Sequence, residues 1–360
     1  MTHDLLHTPV CDLLGIEHPV IQAGMGYVAR AELVAAVSEA GGLGVLGGAG
    51  FPPERLRLEI QRVRELTDRP FGVDLILPAQ TTSGDVLPPR PPSKRPTIDP
   101  ADLEKDVNLG EFAVNRDGTP VRPEELMQIV VEEEVPVFAS GLGNPGPWVS
   151  QLHERGTVVM ALVGNVKNAR RVADAGVDVV VAQGTEGGGH TSRVATGALT
   201  PAVVAVVDVP VLAAGGIVDG VGLAAALAMG AQGVWMGTRF VATFEAVGHD
   251  AYKQKIVEAG EDSTIVTRSY SGKPLRTIRN AWTDDWEQRP WDILPFPQQF
   301  KNSRDVYVVA RRDGDTERGS MPCGQGAAGI TEVLPAAEVV RRTVEQARAV
   351  LADRFGVTTG

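Results

Sequence analysis

The sequence predicts an α/β protein: a (β/α)8 barrel with a smaller α-rich domain inserted after the eighth strand. Three observations carry that prediction. Eight short apolar, β-branched runs recur within residues 1–243. The runs are continuous rather than alternating, which marks strands of a parallel sheet buried on both faces. Segments of helical period separate them, and glycine repeatedly follows the helix ends, where the left-handed C-cap needs it. An open doubly wound sheet is the alternative arrangement of the same units.

The strands are expected at 19–23, 43–46, 71–77, 135–139, 158–163, 178–183, 210–214 and 233–236. Helices are expected at 30–40, 53–66, 124–134, 168–175, 200–207 and 220–228. Pro52 and Pro53 suit a helix start. Ala40-Gly41-Gly42, Ala175-Gly176-Val177 and Met229-Gly230 supply the turns back into strands.

Two segments break this rhythm. Residues 78–122 form a long loop after the third strand, with a proline-rich stretch at 88–96 that excludes regular helix or central strand. It reads as a surface loop, or as a lid whose Arg90, Lys94 and Arg95 meet an anionic substrate. The second break, 244–322, carries Trp282, Trp286, Trp291 and the pair Asp284-Asp285, with a helix expected over 247–259. It is expected to cap the barrel. A last helix over 336–351 then returns to it. The expected division is a barrel of residues 1–243 plus 323–360, and a substrate or cap domain of 244–322.

With 43% hydrophobic and 22% charged residues in 360, the chain can bury a sizeable core. A net charge of −11 argues against a general nucleic-acid binder. Cys11 and Cys323 are far apart in sequence, which suits neither a disulfide framework nor a metal-ligand spacing. The N-terminus has no signal-peptide pattern, and no apolar run reaches membrane-span length. A cytoplasmic protein is expected, and an oligomer is compatible with the sequence.

Residues 182–191, Ala-Gln-Gly-Thr-Glu-Gly-Gly-Gly-His-Thr, are the most informative stretch. A strand delivers Gln183. Gly187, Gly188 and Gly189 then turn the backbone tightly to His190, which can exchange a proton near neutrality. Barrel enzymes place catalysis at such strand ends. The other histidines sit in no comparable setting and read as surface or packing residues. Glu186 either orients the loop or is solvated.

Gly215-Gly216 and Gly237-Thr238 close the seventh and eighth strands, where barrels commonly cradle phosphate with backbone N–H groups. Their plainer reading is tight turns. Gly24-Met25-Gly26 closes the first strand, either as a plain turn or as a floor that suits a flat ring. Asp74 is an acid inside an apolar run, so a ligand or a basic side chain is expected beside it.

Gln22-Ala23-Gly24-Met25-Gly26, the 182–190 motif, Ala213-Ala214-Gly215-Gly216-Ile217 and Met236-Gly237-Thr238-Arg239-Phe240 stand in this order. Together they resemble the nitronate monooxygenase family, formerly 2-nitropropane dioxygenases, and its relatives the barrel-type FMN-dependent enoyl-acyl-carrier-protein reductases. The resemblance covers 10–77, 123–243 and, through Cys323 to Ala327, the C-terminal end. It implies non-covalent FMN, with Gly24, Met25 and Gly26 against the isoalloxazine and Asp74 at its pyrimidine edge, where relatives often carry asparagine. It further implies Gln183, Gly188 and Gly189 near the ring, Gly215, Gly216, Gly237 and Thr238 on the phosphate, and His190 as the catalytic histidine.

The activity this implies is oxidation of alkyl nitronates with O2 to a carbonyl compound and nitrite. The alternatives are an NAD(P)H-dependent reductase of an enoyl or acyl thioester, and a flavin- or phosphate-binding barrel without catalysis. In either enzyme the substrate is a small molecule, a nitronate or an acyl thioester.

Overall fold

The computed structural model describes residues 6–77, 121–296 and 298–356. The predicted loop, with Arg90, Lys94 and Arg95, lies outside the described residues except for its last two positions. In chain order the first strands are β1 (Val20–Gln22), β2 (Gly44–Gly47), β3 (Phe71–Ile76), β4 (Val137–Leu142), β5 (Val158–Val163) and β6 (Val179–Gln183). They continue with β7 (Gly189–His190), β8 (Val211–Ala214) and β9 (Gly233–Met236). All but β7 pair in parallel in the order β1-β9-β8-β6-β5-β4-β3-β2. A parallel bridge between Ile21 and Leu43 joins β1 to the start of β2 and closes the barrel.

That closing seam is short, and a side chain reinforces it. The buried Gln22 amide donates to Val45 O (3.1 Å) and accepts from Val45 N–H (3.2 Å). The side chain thereby supplies the pairing that the brief backbone ladder does not reach.

The continuous apolar runs have the expected cause. In β6, Val179 and Val181 face the barrel interior with Ala139, Met160, Leu212 and Trp235, while Val180 and Ala182 pack beneath the outer helices. Both alternating faces are buried, so the alternation vanishes from the sequence. The helix Pro9–Leu14, which the pattern did not reveal, sends Val10 and Leu14 into the interior cluster and plugs the N-terminal end.

Helices Pro53–Leu66 and Gly220–Ala228 stand where expected. Another begins at Thr196 and not at 200, with Pro201 inside it. Glu186 explains the shift: from outside the helix it accepts from the Thr196 N–H (2.9 Å) and hydroxyl (2.9 Å), a cap that lengthens the helix backwards. Gly146–His153 is a further helix, masked in the sequence by its Gly-Pro start. No helix among the described residues is long and apolar enough to cross a membrane.

The segment after β9 is α-rich but also holds β10 (Thr264–Thr267) and β11 (Leu275–Ile278). These form an antiparallel three-stranded sheet with β7 in the order β10-β11-β7. Tyr270, Leu275, Phe300, Tyr307 and Val308 make a separate core beneath it. The last helix, Ala336–Phe355, returns to the barrel and receives the Gly220 N–H on Gln346 (2.9 Å).

Gln22→Met would leave both Val45 groups unpaired in the closing seam. Urea unfolding should register a loss of about 1–3 kcal/mol. Unchanged stability would mean that the backbone bridge alone holds the barrel shut.

Candidate active site

The C-terminal strand ends surround a cavity of about 260 Å³. The structure brings together on its wall Gly24, Met25, Gly26, Asp74, Gln183, Gly188, Gly189, His190, Gly215, Gly216, Gly237 and Thr238. The sequence reading did not single out Tyr27, Tyr252, Tyr307, Arg311, Gly324 and Gly326, which line it too. The two glycines belong to a further small cluster, at 323–327, and had a readable signal. Tyr307 and Arg311 come from helical stretches of the insert and had none.

Loop 184–191 is fixed from several sides. The Gln183 amide donates to His190 O (2.9 Å), so its side chain bridges the ends of the turn. Glu186 is the orienting residue: its carboxylate holds Thr196, and its carbonyl accepts from Gln325 N–H (2.9 Å). Beyond the turn, Gly189 and His190 pair with Arg276 and Leu275 of β11. The insert therefore sets the direction of the histidine.

The His190 Nε2 lies 3.0 Å from the Ser271 hydroxyl, which is fully buried. Burial, aided by the Lys273 ammonium, pulls the imidazole pKa down to about 4. The ring is neutral at pH 7, with one nitrogen bearing a proton and the other able to accept one.

Asp74 rises from β3 among glycines and apolar atoms. A Cβ on Gly24 would lie 2.6 Å from its carboxylate, so only glycine lets the first turn pass so close. Burial raises the Asp74 carboxyl well above the ordinary carboxylate range, opposed by a hydrogen bond from Gly141 N–H. Its Oδ1 has no hydrogen-bond partner, and no basic side chain pairs with it among the described residues.

On the opposite wall Gly215 and Gly216 take φ of 105° and 73°, values open to glycine and costly for other residues. Thr238 Oγ1 accepts from Gly324 N–H (2.9 Å), which leaves its proton for an acceptor in the cavity. This wall of exposed backbone and one hydroxyl is chemically suited to an anion such as phosphate.

A neutral base, a buried acid and a glycine cradle on one barrel mouth agree with what the whole chain matches. The model of the nitronate monooxygenase family matches residues 7–346. The chain belongs to the nitronate monooxygenase family. It is 34% identical over 351 residues to a Staphylococcus haemolyticus protein named for nitronate monooxygenase, spanning 94% of this chain and 96% of that one. It is 39% identical over 285 residues to an octahydroindene-carboxyl-CoA dehydrogenase of Mycobacterium tuberculosis, spanning 78% of this chain and 69% of that one. The structure of FabK from Thermotoga maritima superposes with a TM-score of 0.81 at 36% identity, over 98% of this chain and 99% of that one. This nitronate monooxygenase family member is a flavin-dependent oxidoreductase with a barrel fold.

Followed by NMR, the His190 ring should stay neutral from pH 8 down to pH 5, because its midpoint is near 4. Lys273→Met removes a nearby positive charge and should move that midpoint upward. A midpoint near 6.5, unmoved by Lys273→Met, would contradict this account of the site.

Proposed function

We propose that the chain is an FMN-dependent nitronate monooxygenase. Two alkyl nitronate anions and one O2 would give two carbonyl compounds and two nitrites, which balances atoms and charge. The observation that carries the reading is the neutral His190, held by β7–β11 pairing at the mouth of a cavity with a glycine cradle on its far wall.

The residues present fit FMN. Gly215, Gly216, Gly237 and Thr238 would hold its phosphate, joined by Gly324 and Gly326. Gly24, Met25 and Gly26 would lie against the isoalloxazine, with Gln183, Gly188 and Gly189 alongside. Asp74, whose Oδ1 lacks a partner, suits the polar edge of the ring. When bound, the flavin supplies the electron acceptor that amino-acid side chains lack.

His190 would sit against the nitro group. Its neutral ring would donate a hydrogen bond to a nitronate oxygen. Ser271 keeps the ring in place, and Lys273 resists its protonation.

A second reading, an NAD(P)H-dependent oxidoreductase of an acyl thioester, draws on the similarity to the CoA-thioester dehydrogenase. His190 would then face the thioester carbonyl.

The test is anaerobic mixing of the purified protein with propionate 3-nitronate, and separately with NADH or NADPH, while the visible flavin absorbance is followed. Bleaching by the nitronate alone is expected. Bleaching by the nicotinamide alone would move the assignment to the thioester branch, and bleaching by neither would refute both. His190→Ala should retain FMN and slow bleaching by about 100-fold or more. Loss of FMN from a folded His190→Ala variant would remove His190 from the catalytic role.

A further inference from the structure

Asp74 stands in the middle of β3, its backbone in register with Gly47 of β2 and Ala139 of β4. Its carbonyl also accepts from Gly48 N–H (3.0 Å). The backbone is therefore locked, and the side chain, 9% exposed, forms part of the cavity wall. Glycines make room for it on two sides. A Cβ on Gly24 would lie 2.2 Å from the Asp74 Cβ, and one on Gly141 would lie 2.7 Å from Oδ1. Neither glycine could become alanine without displacing the carboxyl.

What packs against the carboxyl is backbone and apolar atoms. β2, β4 and the Ala23–Gly26 turn after β1 present no charged or titratable side chain. Further titratable or charged groups of the cavity wall are Tyr27, His190, Tyr252, Tyr307 and Arg311. None of these pairs with Asp74 among the described residues. The Gly141 N–H donates to the carboxyl, and Oδ1 has no partner. A lone carboxylate in such a place is costly, and burial accordingly favours the protonated form.

Hydrogen-bond complementarity points the same way. The pyrimidine edge of an isoalloxazine presents an N–H flanked by two carbonyls. An ionised carboxylate only accepts, so one oxygen would serve the N–H while the other opposed a carbonyl. A neutral acid carries an O–H donor beside an acceptor and serves both.

We propose that Asp74 meets this edge as a neutral acid, donating its O–H to a ring carbonyl and accepting the ring N–H on its other oxygen, so that retention of the cofactor requires a proton on the protein. The proposal rests on the FMN reading of the cavity. Its sign is fixed: the carboxyl keeps its proton below its raised pKa, and as pH climbs through that value the donor is lost and affinity falls.

The experiment is fluorescence titration of the full chain, stripped of flavin, with FMN between about pH 5 and pH 9, repeated with Asp74→Asn and Asp74→Leu. The asparagine amide offers a donor and an acceptor at every pH. At the acid end its dissociation constant should lie within about threefold of the wild type, and that of Asp74→Leu should be about tenfold or more weaker. As pH rises, the ratio of the wild-type to the Asp74→Asn constant should grow, by up to about tenfold per pH unit. Titration of the FMN phosphate and ring is common to both proteins and cancels in that ratio. The infrared difference between the two FMN-loaded proteins at the acid end should show the carbonyl stretch of a protonated carboxyl. Circular dichroism checks that each variant is folded. With FMN bound, a ratio that stays flat or falls with pH, or the absence of that stretch, would overturn the neutral acid and leave the FMN reading standing. Failure of every protein to bind FMN at any pH would overturn both.

Discussion

Everything at the cavity mouth depends on two residues of backbone pairing. Gly189 and His190 leave the barrel wall after β6 and join β11 of the insert. That edge adds to the Gln183 bond at His190 O and fixes the exit of the glycine-rich turn and the direction of the histidine. With it, the insert brings Ser271 to within 3.0 Å of the imidazole and places Tyr307 and Arg311 on the cavity wall. A barrel alone offers strand ends and glycine turns. The aromatic and cationic wall comes from sequence inserted after the last strand.

The electrostatics follow from burial. Two titratable groups of the cavity are held away from their charged forms: Asp74 toward its protonated form and His190 toward its neutral form. Among the described residues, the buried charge that lines the cavity is Arg311. A site of this kind favours flat, weakly polar chemistry at its centre and an anion at its margins. The glycines serve the same end, since Gly24 and Gly141 leave room for nothing larger beside the Asp74 carboxylate.

Much of this was legible in the chain. The β5 and β9 limits and two helices coincide with the apolar runs that predicted them, because both faces of each strand are buried. The site glycines were readable because they cluster where strands end. What was hidden has a physical reason in each case. The helix at Thr196 starts early because a remote carboxylate caps it. The two-residue β7 is too short for any periodicity, and its partner lies more than eighty residues away. Arg311 looks like any surface arginine of an amphipathic stretch until the fold buries it.

The most direct measurement is a crystal structure of the protein soaked or purified with FMN. The account predicts the phosphate on Gly215, Gly216, Gly237 and Thr238, the ring over the Gly24–Gly26 turn with its polar edge at Asp74, and His190 facing the ring. FMN bound elsewhere, or bound with its phosphate away from that cradle and its ring away from His190, would contradict it.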